Sequence, residues 1–333
     1  MTARCLSLAL VLAAAIAPAA NAAGPPLPSA ASGAAGAVAP GGIERLVTRR
    51  AGPDTVVSAV RISDDRVLRS RQIRGRWWVP AVTINGATTG LSVDGSTLVL
   101  VRPEPDFPPP TTMLAVLDTG RLSVEREITL PGFFTVDAIS PDGRWVYLIQ
   151  YPGADLLDYH VRALDTRTGR LDSRSVVDPR NPREQMGGLP MTRVLSRDGR
   201  WAYTLYGGGG ETFIHALDTV NRTAACIDLE MLPPDSDLSS VELGVSRDGR
   251  RVDVRNAGNL VATVDARTFA ISEPGEGRGA APAPGSAPTG SDGDGFPWPA
   301  LLIGAAVAVA CALLFARRRA TLGSQRPSSP PTR

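Results

Sequence analysis

The stretch Ser140-Pro141-Asp142-Gly143-Arg144-Trp145-Val146-Tyr147 decides how this chain is read. An Asp-Gly pair between apolar runs predicts a tight hairpin, with Gly143 in left-handed backbone and Asp142 bonding the turn. The strand that follows, Trp145-Val146-Tyr147-Leu148-Ile149, is apolar or aromatic on both parities, which marks a strand covered on both faces. The same line returns as Leu91-Ser92-Val93-Asp94-Gly95, as Leu195-Ser196-Arg197-Asp198-Gly199-Arg200-Trp201 and as Val245-Ser246-Arg247-Asp248-Gly249-Arg250-Arg251, its Asp-Gly pairs 48, 56 and 50 residues apart. A second line trails each one: Leu117-Asp118-Thr119, Leu164-Asp165-Thr166, Leu217-Asp218-Thr219 and Val264-Asp265-Ala266, at spacings of 47, 53 and 47.

Two lines that keep one period define a repeat, and periods of about 40–50 residues built from strands are the blades of a β-propeller. A third strand, Met113 to Leu117 or Phe213 to Leu217, leads into the second turn, and a fourth leaves it, Val124 to Ile128 or Ala224 to Leu229. The lines S-P-D-G-R-W-x-Y at Ser140 to Tyr147 and L-D-T-x-T-G within Ala163 to Gly169 resemble those of the WD-repeat-like and YVTN-type bacterial β-propellers. That resemblance implies an all-β propeller and leaves its ligand open. The repeating segment, residues 43–273, predicts five four-stranded blades, with four as the alternative. Its first unit, Glu44 to Ile73, lacks a clear inner strand, so closing the ring calls for a strand from each chain end joined in one blade.

The flanks predict where the domain sits. Residues 1–22 carry Arg4, an apolar run from Leu6 to Ala20 and the small-x-small site Ala20-Asn21-Ala22, the parts of a secretory signal peptide. Residues 23–42 and 274–295 are Ala/Pro/Gly/Ser-rich linkers. Residues 296–316 are long and apolar enough for a transmembrane helix, and Arg317, Arg318 and Arg319 follow at once, as on a cytoplasmic side. The expectation is a single-pass membrane protein with an extracytoplasmic N-terminal domain and a cytoplasmic tail, 317–333. Ser286-Ala287-Pro288-Thr289-Gly290 offers a sortase-like anchoring signal as an alternative, departing from the usual pattern at its first position.

Composition narrows the chemistry. The 333 residues carry 35 basic side chains and every one is arginine, a bias in keeping with a GC-rich bacterial genome. Without lysine there is no Walker-type phosphate loop and no amine nucleophile. Beyond the signal peptide only Cys226 and Cys311 remain, the second within the expected span, so the outer domain is held by its apolar core. His160 and His215 fall in third strands at non-equivalent blade positions, and no H-E-x-x-H or G-x-S-x-G line occurs. The recurring aspartates are turn formers, and Asn221-Arg222-Thr223 is a turn rather than a glycosylation acceptor. The expectation is therefore a non-enzymatic binding module with no cofactor, no metal and no nucleic-acid partner. Its partner is a protein, peptide or glycan outside the cell; a lactonase-like propeller hydrolase is the alternative.

Longer connections, among them Arg74 to Thr89, Pro103 to Thr111 and Asp178 to Pro190, all belong to the loop types that open on one face of a propeller, where binding residues concentrate. Arg76, Trp77 and Trp78 join a guanidinium to two large aromatics, the side chains that dominate interface hot spots. One of the two tryptophans is expected to be buried beneath the junction between blades. Arg180, Arg183 and Glu184, with Met186, form a second, mixed-charge candidate.

Overall fold

The computed structural model describes residues 36–274, apart from 154–155 and 184–185. The signal peptide 1–22, most of the linker 23–42, the linker 274–295 beyond its first residue, the span 296–316, the tail 317–333 and Glu184 lie outside the described residues. Among the described residues no helix is long and apolar enough to cross a membrane.

The two repeated lines fold as two turns that hold each other. In the first, Ser140 Oγ donates to Asp142 Oδ1 at 2.6 Å and accepts the Trp145 N–H at 2.9 Å, while Asp142 Oδ1 also accepts the Arg144 N–H. Gly143 takes φ 71°, backbone that glycine reaches without strain. Ser92–Asp94, Ser196–Asp198 and Ser246–Asp248 repeat the bond. In the second, Asp165 Oδ1 accepts the N–H groups of Arg167 and Thr168. Thr166 then joins the two: its hydroxyl donates to the Gly143 carbonyl at 2.9 Å and its N–H to the Arg144 carbonyl at 2.9 Å. Thr119 and Thr219 do the same for Gly95 and Gly199. Blade 5 has Ala266 at this position and keeps only the backbone bond to Arg250. The lines share one period because each Thr caps its own blade's Asp-Gly turn.

Five antiparallel sheets follow in chain order. Blade 1 is β1 (Ala37–Val38), β2 (Glu44–Ala51), β3 (Asp54–Arg61) and β4 (Val67–Ile73). Blade 2 has three regular strands, β5 (Thr97–Val101), β6 (Thr111–Asp118) and β7 (Ser123–Pro131). Its inner edge is interrupted: Trp78 bridges Val101 and Leu91 bridges Leu98, with residues 79–89 looped out between them. Blade 3 is β8 (Phe133–Ile139), β9 (Trp145–Tyr151), β10 (Asp158–Asp165) and β11 (Arg170–Val176), and β12 (Met186–Gly187) pairs with the start of β10. Blade 4 is β13 (Leu189–Leu195), β14 (Trp201–Gly207), β15 (Phe213–Asp218) and β16 (Thr223–Asp228). Blade 5 is β17 (Val241–Val245), β18 (Arg251–Asn256), β19 (Asn259–Asp265) and β20 (Ile271–Ser272).

Four apolar cores hold the sheets, each between consecutive blades. Leu46, Val57 and Ala59 of blade 1 pack on Leu98, Leu100 and Leu117 of blade 2. Val99, Val116 and Leu114 pack on Val136, Val146 and Leu148; Tyr147, Ile149 and Tyr159 on Ala202, Tyr206 and Leu217; Tyr203, Leu205 and Ile214 on Val252, Val254 and Ala262. Inner blades thus use both parities of their strands. Blade 5 uses one: in β18, Val252 and Val254 are buried while Arg251 and Arg255 are exposed and Asp253 half-buried. Among the described residues no apolar core joins blade 5 to blade 1.

Two expectations are corrected. The missing inner strand of blade 1 is β1, which lies inside the stretch 23–42 read as linker and pairs with β2 through Ala37–Leu46 and Val38–Arg45. Among the described residues ring closure by strands from both chain ends does not occur either, since blades 1 and 5 are each built there from one continuous segment. A strand of two residues carries too little pattern to stand out in an Ala/Gly/Pro tract, and it forms because β2 offers it a paired edge.

Candidate ligand-binding groove

The looped-out residues 79–89 shape the middle of the molecule. Val79, Ala81, Val82 and Thr83 are buried. Thr88 Oγ1 donates to the Gly36 carbonyl of blade 1, Thr89 Oγ1 to the Asp137 carbonyl of blade 3, and the Ile84 N–H to the Pro190 carbonyl of blade 4. Beside them lies a fully buried ion pair, Asp137 with Arg193, whose guanidinium also bonds the Asp137 carbonyl and Thr204 Oγ1. A single insertion from blade 2 therefore ties together the inner strands of three other blades.

That insertion starts at Trp78, and Trp78 lines two adjoining depressions on the loop face. One, about 150 Å³, is walled by Trp78, Phe107, Phe133, Pro109, Arg102 and Asp106. The other, about 260 Å³, is walled by Trp78, Arg50, Arg76, Pro103, Glu104 and Pro105. Each is smaller than the ~300 Å³ and upward typical of enclosed small-molecule sites, and Trp78, Pro103 and Glu104 are common to both. Together they form a shallow groove running from blade 1 across blade 2 to blade 3.

The groove stands on rigid supports. Trp78 exchanges both backbone hydrogen bonds with Val101 at 2.9 Å. Phe107 is exposed and meets Phe133 edge-on at 5.5 Å; Phe133 stacks on Tyr151 at 4.8 Å, and the ladder continues through Tyr159, Tyr206 and Phe213 into blade 4. Burial keeps these tyrosines protonated, pushing Tyr151 up to about 12. Aromatic walls with arginine and carboxylate rims suit an extended chain bearing flat or apolar faces and polar groups.

The sequence candidates divide. Arg76 is exposed and Trp78 half-buried in the groove. Trp77, 1% exposed, is packed in the core and lines the second depression from beneath: it lies under the Arg102 guanidinium at 4.7 Å, and its indole N–H bonds the Arg74 carbonyl at 2.7 Å. Arg180 lies between blades 3 and 4, away from the groove lining, where its guanidinium is paired with Asp178 at 2.5 Å and bonds the Cys226 carbonyl. Burial pushes the Asp178 carboxyl up, but hydrogen bonds from Arg180 and the Cys226 N–H outweigh it and hold it below the usual range. Arg183 is exposed and does not line the groove. Of the histidines, His160 is exposed and His215 is buried with neither ring nitrogen hydrogen-bonded. Sequence reading missed Arg50, Arg102, Phe107 and Phe133. Phe107 sat within a loop already marked as long, whereas Arg50 and Phe133 belong to other blades and reach the groove only through the fold.

No protein-family model and no curated protein matches this chain. Among solved structures it is similar to Kuenenia stuttgartiensis hydrazine synthase, at 15% identity and TM-score 0.45, over 71% of this chain and 64% of that one. The β-propeller domain of Myceliophteria thermophila Cps50 (Swd1) aligns at 11% identity and TM-score 0.40, over 69% and 67%. TolB from Acinetobacter baumannii aligns at 15% identity and TM-score 0.34, over 68% and 55%. The chain thus spans less than two thirds of the hydrazine synthase and TolB chains. The blade arrangement itself rests on the sheets described above.

Proposed function

We propose that this protein is a membrane-anchored, extracytoplasmic propeller that binds a protein, peptide or glycan chain in the loop-face groove, without catalysing a reaction. The observation that carries this reading is the continuity of the two depressions through Trp78, with Phe107, Phe133, Arg76 and Glu104 around it. A groove that is long, shallow and aromatic suits a stacked, extended segment better than an enclosed substrate. The secretion signal and the span support the placement outside the cell.

The test is a screen of the full-length chain against peptide and glycan arrays, followed by titration of each hit. Trp78→Ala with Arg76→Ala should weaken a true ligand by at least about tenfold, the loss of one hot-spot contact. Because Trp78 also packs on the core between blades 2 and 3, a melting curve must show the variant folded at the titration temperature, and Arg76→Ala alone should weaken binding in the same direction with the melting temperature nearly unchanged. Hits that bind the double variant as well as the parent would sink the proposal. So would a stoichiometric metal ion in the purified protein together with ester or lactone hydrolysis, which would establish the hydrolase alternative.

A further inference from the structure

The opposite face of the molecule, where the paired turns lie, carries a second feature that the groove does not use. Between blades 4 and 5 is a cleft of about 760 Å³ lined by Arg197, Arg200, Arg247, Arg250 and Arg267 with Asp198, Asp248 and Asp265, and Trp201 on its wall. Only one of these arginines is engaged: Arg200 pairs with Asp218 at 2.8 Å and lies 5.6 Å over the Trp201 ring. Among the described residues Arg197, Arg247, Arg250 and Arg267 form no ion pair.

The three aspartates keep their negative charge but are fixed in place by their turns. Each is occupied in its own turn: Asp198 Oδ1 by Ser196 and the Arg200 N–H, Asp248 Oδ1 by Ser246 and the Arg250 N–H, Asp265 Oδ1 by the Arg267 and Thr268 N–H groups. With Arg200 compensated by Asp218, four cations face three anions, an excess of one positive charge. The arginines are also particular to this junction. The turn reads Arg-Asp-Gly-Arg in blades 4 and 5 but Val93-Asp94-Gly95-Ser96 in blade 2 and Pro141-Asp142-Gly143-Arg144 in blade 3. Because the turns are bonded identically, the doubled arginines of two neighbouring blades issue from equivalent backbone and meet. The corresponding cleft between blades 2 and 3 is about 370 Å³ and holds Arg126, Arg144 and Arg167 with Glu125 and Asp142; because Arg144 is drawn toward Asp165 at 3.7 Å, two cations there face two anions.

Guanidinium forks bind phosphate oxygens in pairs and hold their charge at any physiological pH. Four unpaired forks spread over two blades exceed what one phosphate can occupy. We propose that the cleft between blades 4 and 5 is a binding site for a ligand carrying two or more phosphate groups, either a soluble oligophosphate or the diphosphate headgroup of a lipid.

The test uses the detergent-solubilised full-length chain and calorimetric titration with two probes, inorganic triphosphate and a short-chain alkyl diphosphate. Arg197→Gln with Arg247→Gln should weaken the bound probe at least about tenfold, one charge-assisted contact or more. Arg49→Gln with Arg66→Gln makes the same charge change on blade 1, and should alter binding by less than about twofold. Tighter binding of the alkyl diphosphate assigns a lipid source; equal or tighter binding of triphosphate assigns a free one. Failure of both probes to bind, or equal weakening in the two double variants, overturns the site. All four positions are exposed, and a melting curve for each variant separates lost binding from lost folding.

Discussion

Thr166, Thr119 and Thr219 show at single-residue scale how the repeat holds together. Each hydroxyl bonds the glycine carbonyl of its blade's first turn, and those of Thr166 and Thr219 lie out of water. Such a bond contributes about 1 kcal/mol, so Thr166→Ala should lower unfolding free energy by about that amount in urea titration. Ala266→Thr should raise it by a similar or smaller amount, because it supplies the hydroxyl that blade 5 lacks. The fifth residue of the second turn is left-handed in four blades, as Leu122, Gly169, Arg222 and Phe269. Three of these are not glycine, and their side chains explain it: Leu122 is buried in a core, Arg222 lies 4.4 Å over Trp145, and Phe269 meets Trp201 edge-on. Packing offsets the roughly 1 kcal/mol or more of backbone strain.

His215 gives a pH prediction at the same scale. Burial lowers its pKa from 6.5 to about 4; the Asp137 carboxylate opposes this and the Arg193 guanidinium adds to it. Between those values the unfolded chain binds a proton that the folded chain refuses. Stability is therefore full above about pH 6.5 and falls as pH drops toward 4, by on the order of 3 kcal/mol. A melting temperature followed from pH 7 to about pH 4.5 should decline in the parent, and His215→Phe should flatten much of that slope. Asp218 adds to acid sensitivity lower down. Its burial pushes the pKa up, but Arg200 and the Asn221 and Val220 N–H groups hold it below its ordinary value, so its contribution is present above the ordinary carboxylate range and is lost below it.

At the scale of elements, two short pieces matter more than their length suggests. β1 contributes two paired residues, the Ala39 N–H bond to the Glu44 carbonyl and the Gly36 carbonyl that receives Thr88. Deleting residues 36–42 should cost on the order of 2 kcal/mol, at about 0.5–1.5 per net hydrogen bond, measured as a shifted urea midpoint. A true linker would show no shift. The 79–89 insertion ends beside a buried ion pair: Asp137→Ala leaves Arg193 without its charge partner, which should cost about 3–5 kcal/mol, while keeping the main-chain carbonyl that receives Thr89. The insertion bears on the groove, since it follows directly on Trp78. The roles of both elements were not legible in the sequence, because the partners of Gly36, Ile84 and Thr89 lie 48 or more residues away.

At the largest scale the decisive feature among the described residues is five blades with four apolar cores. Val252→Ala or Val254→Ala should destabilise by about 1–3 kcal/mol, since both side chains are fully buried against blade 4. Replacing Arg251 with Gln on the other face should change stability by less than about 0.5 kcal/mol, and paired urea titrations of these variants separate the two faces.

The alternation Arg251-Val252-Asp253-Val254-Arg255 already encoded that one-faced blade, just as Trp145 to Ile149 encoded a two-faced one. Sequence by itself therefore determined the repeat, the turn chemistry and the all-β class, because these rest on bonds and patterns local to each hairpin. Only the tertiary structure decided that β1 completes blade 1, that Trp77 is buried beneath the groove that Trp78 lines with Arg50 and Phe133, and that two Arg-Asp-Gly-Arg turns face one cleft. Those outcomes depend on how successive sheets pack face to face, and side chains brought together by packing leave no mark in local spacing.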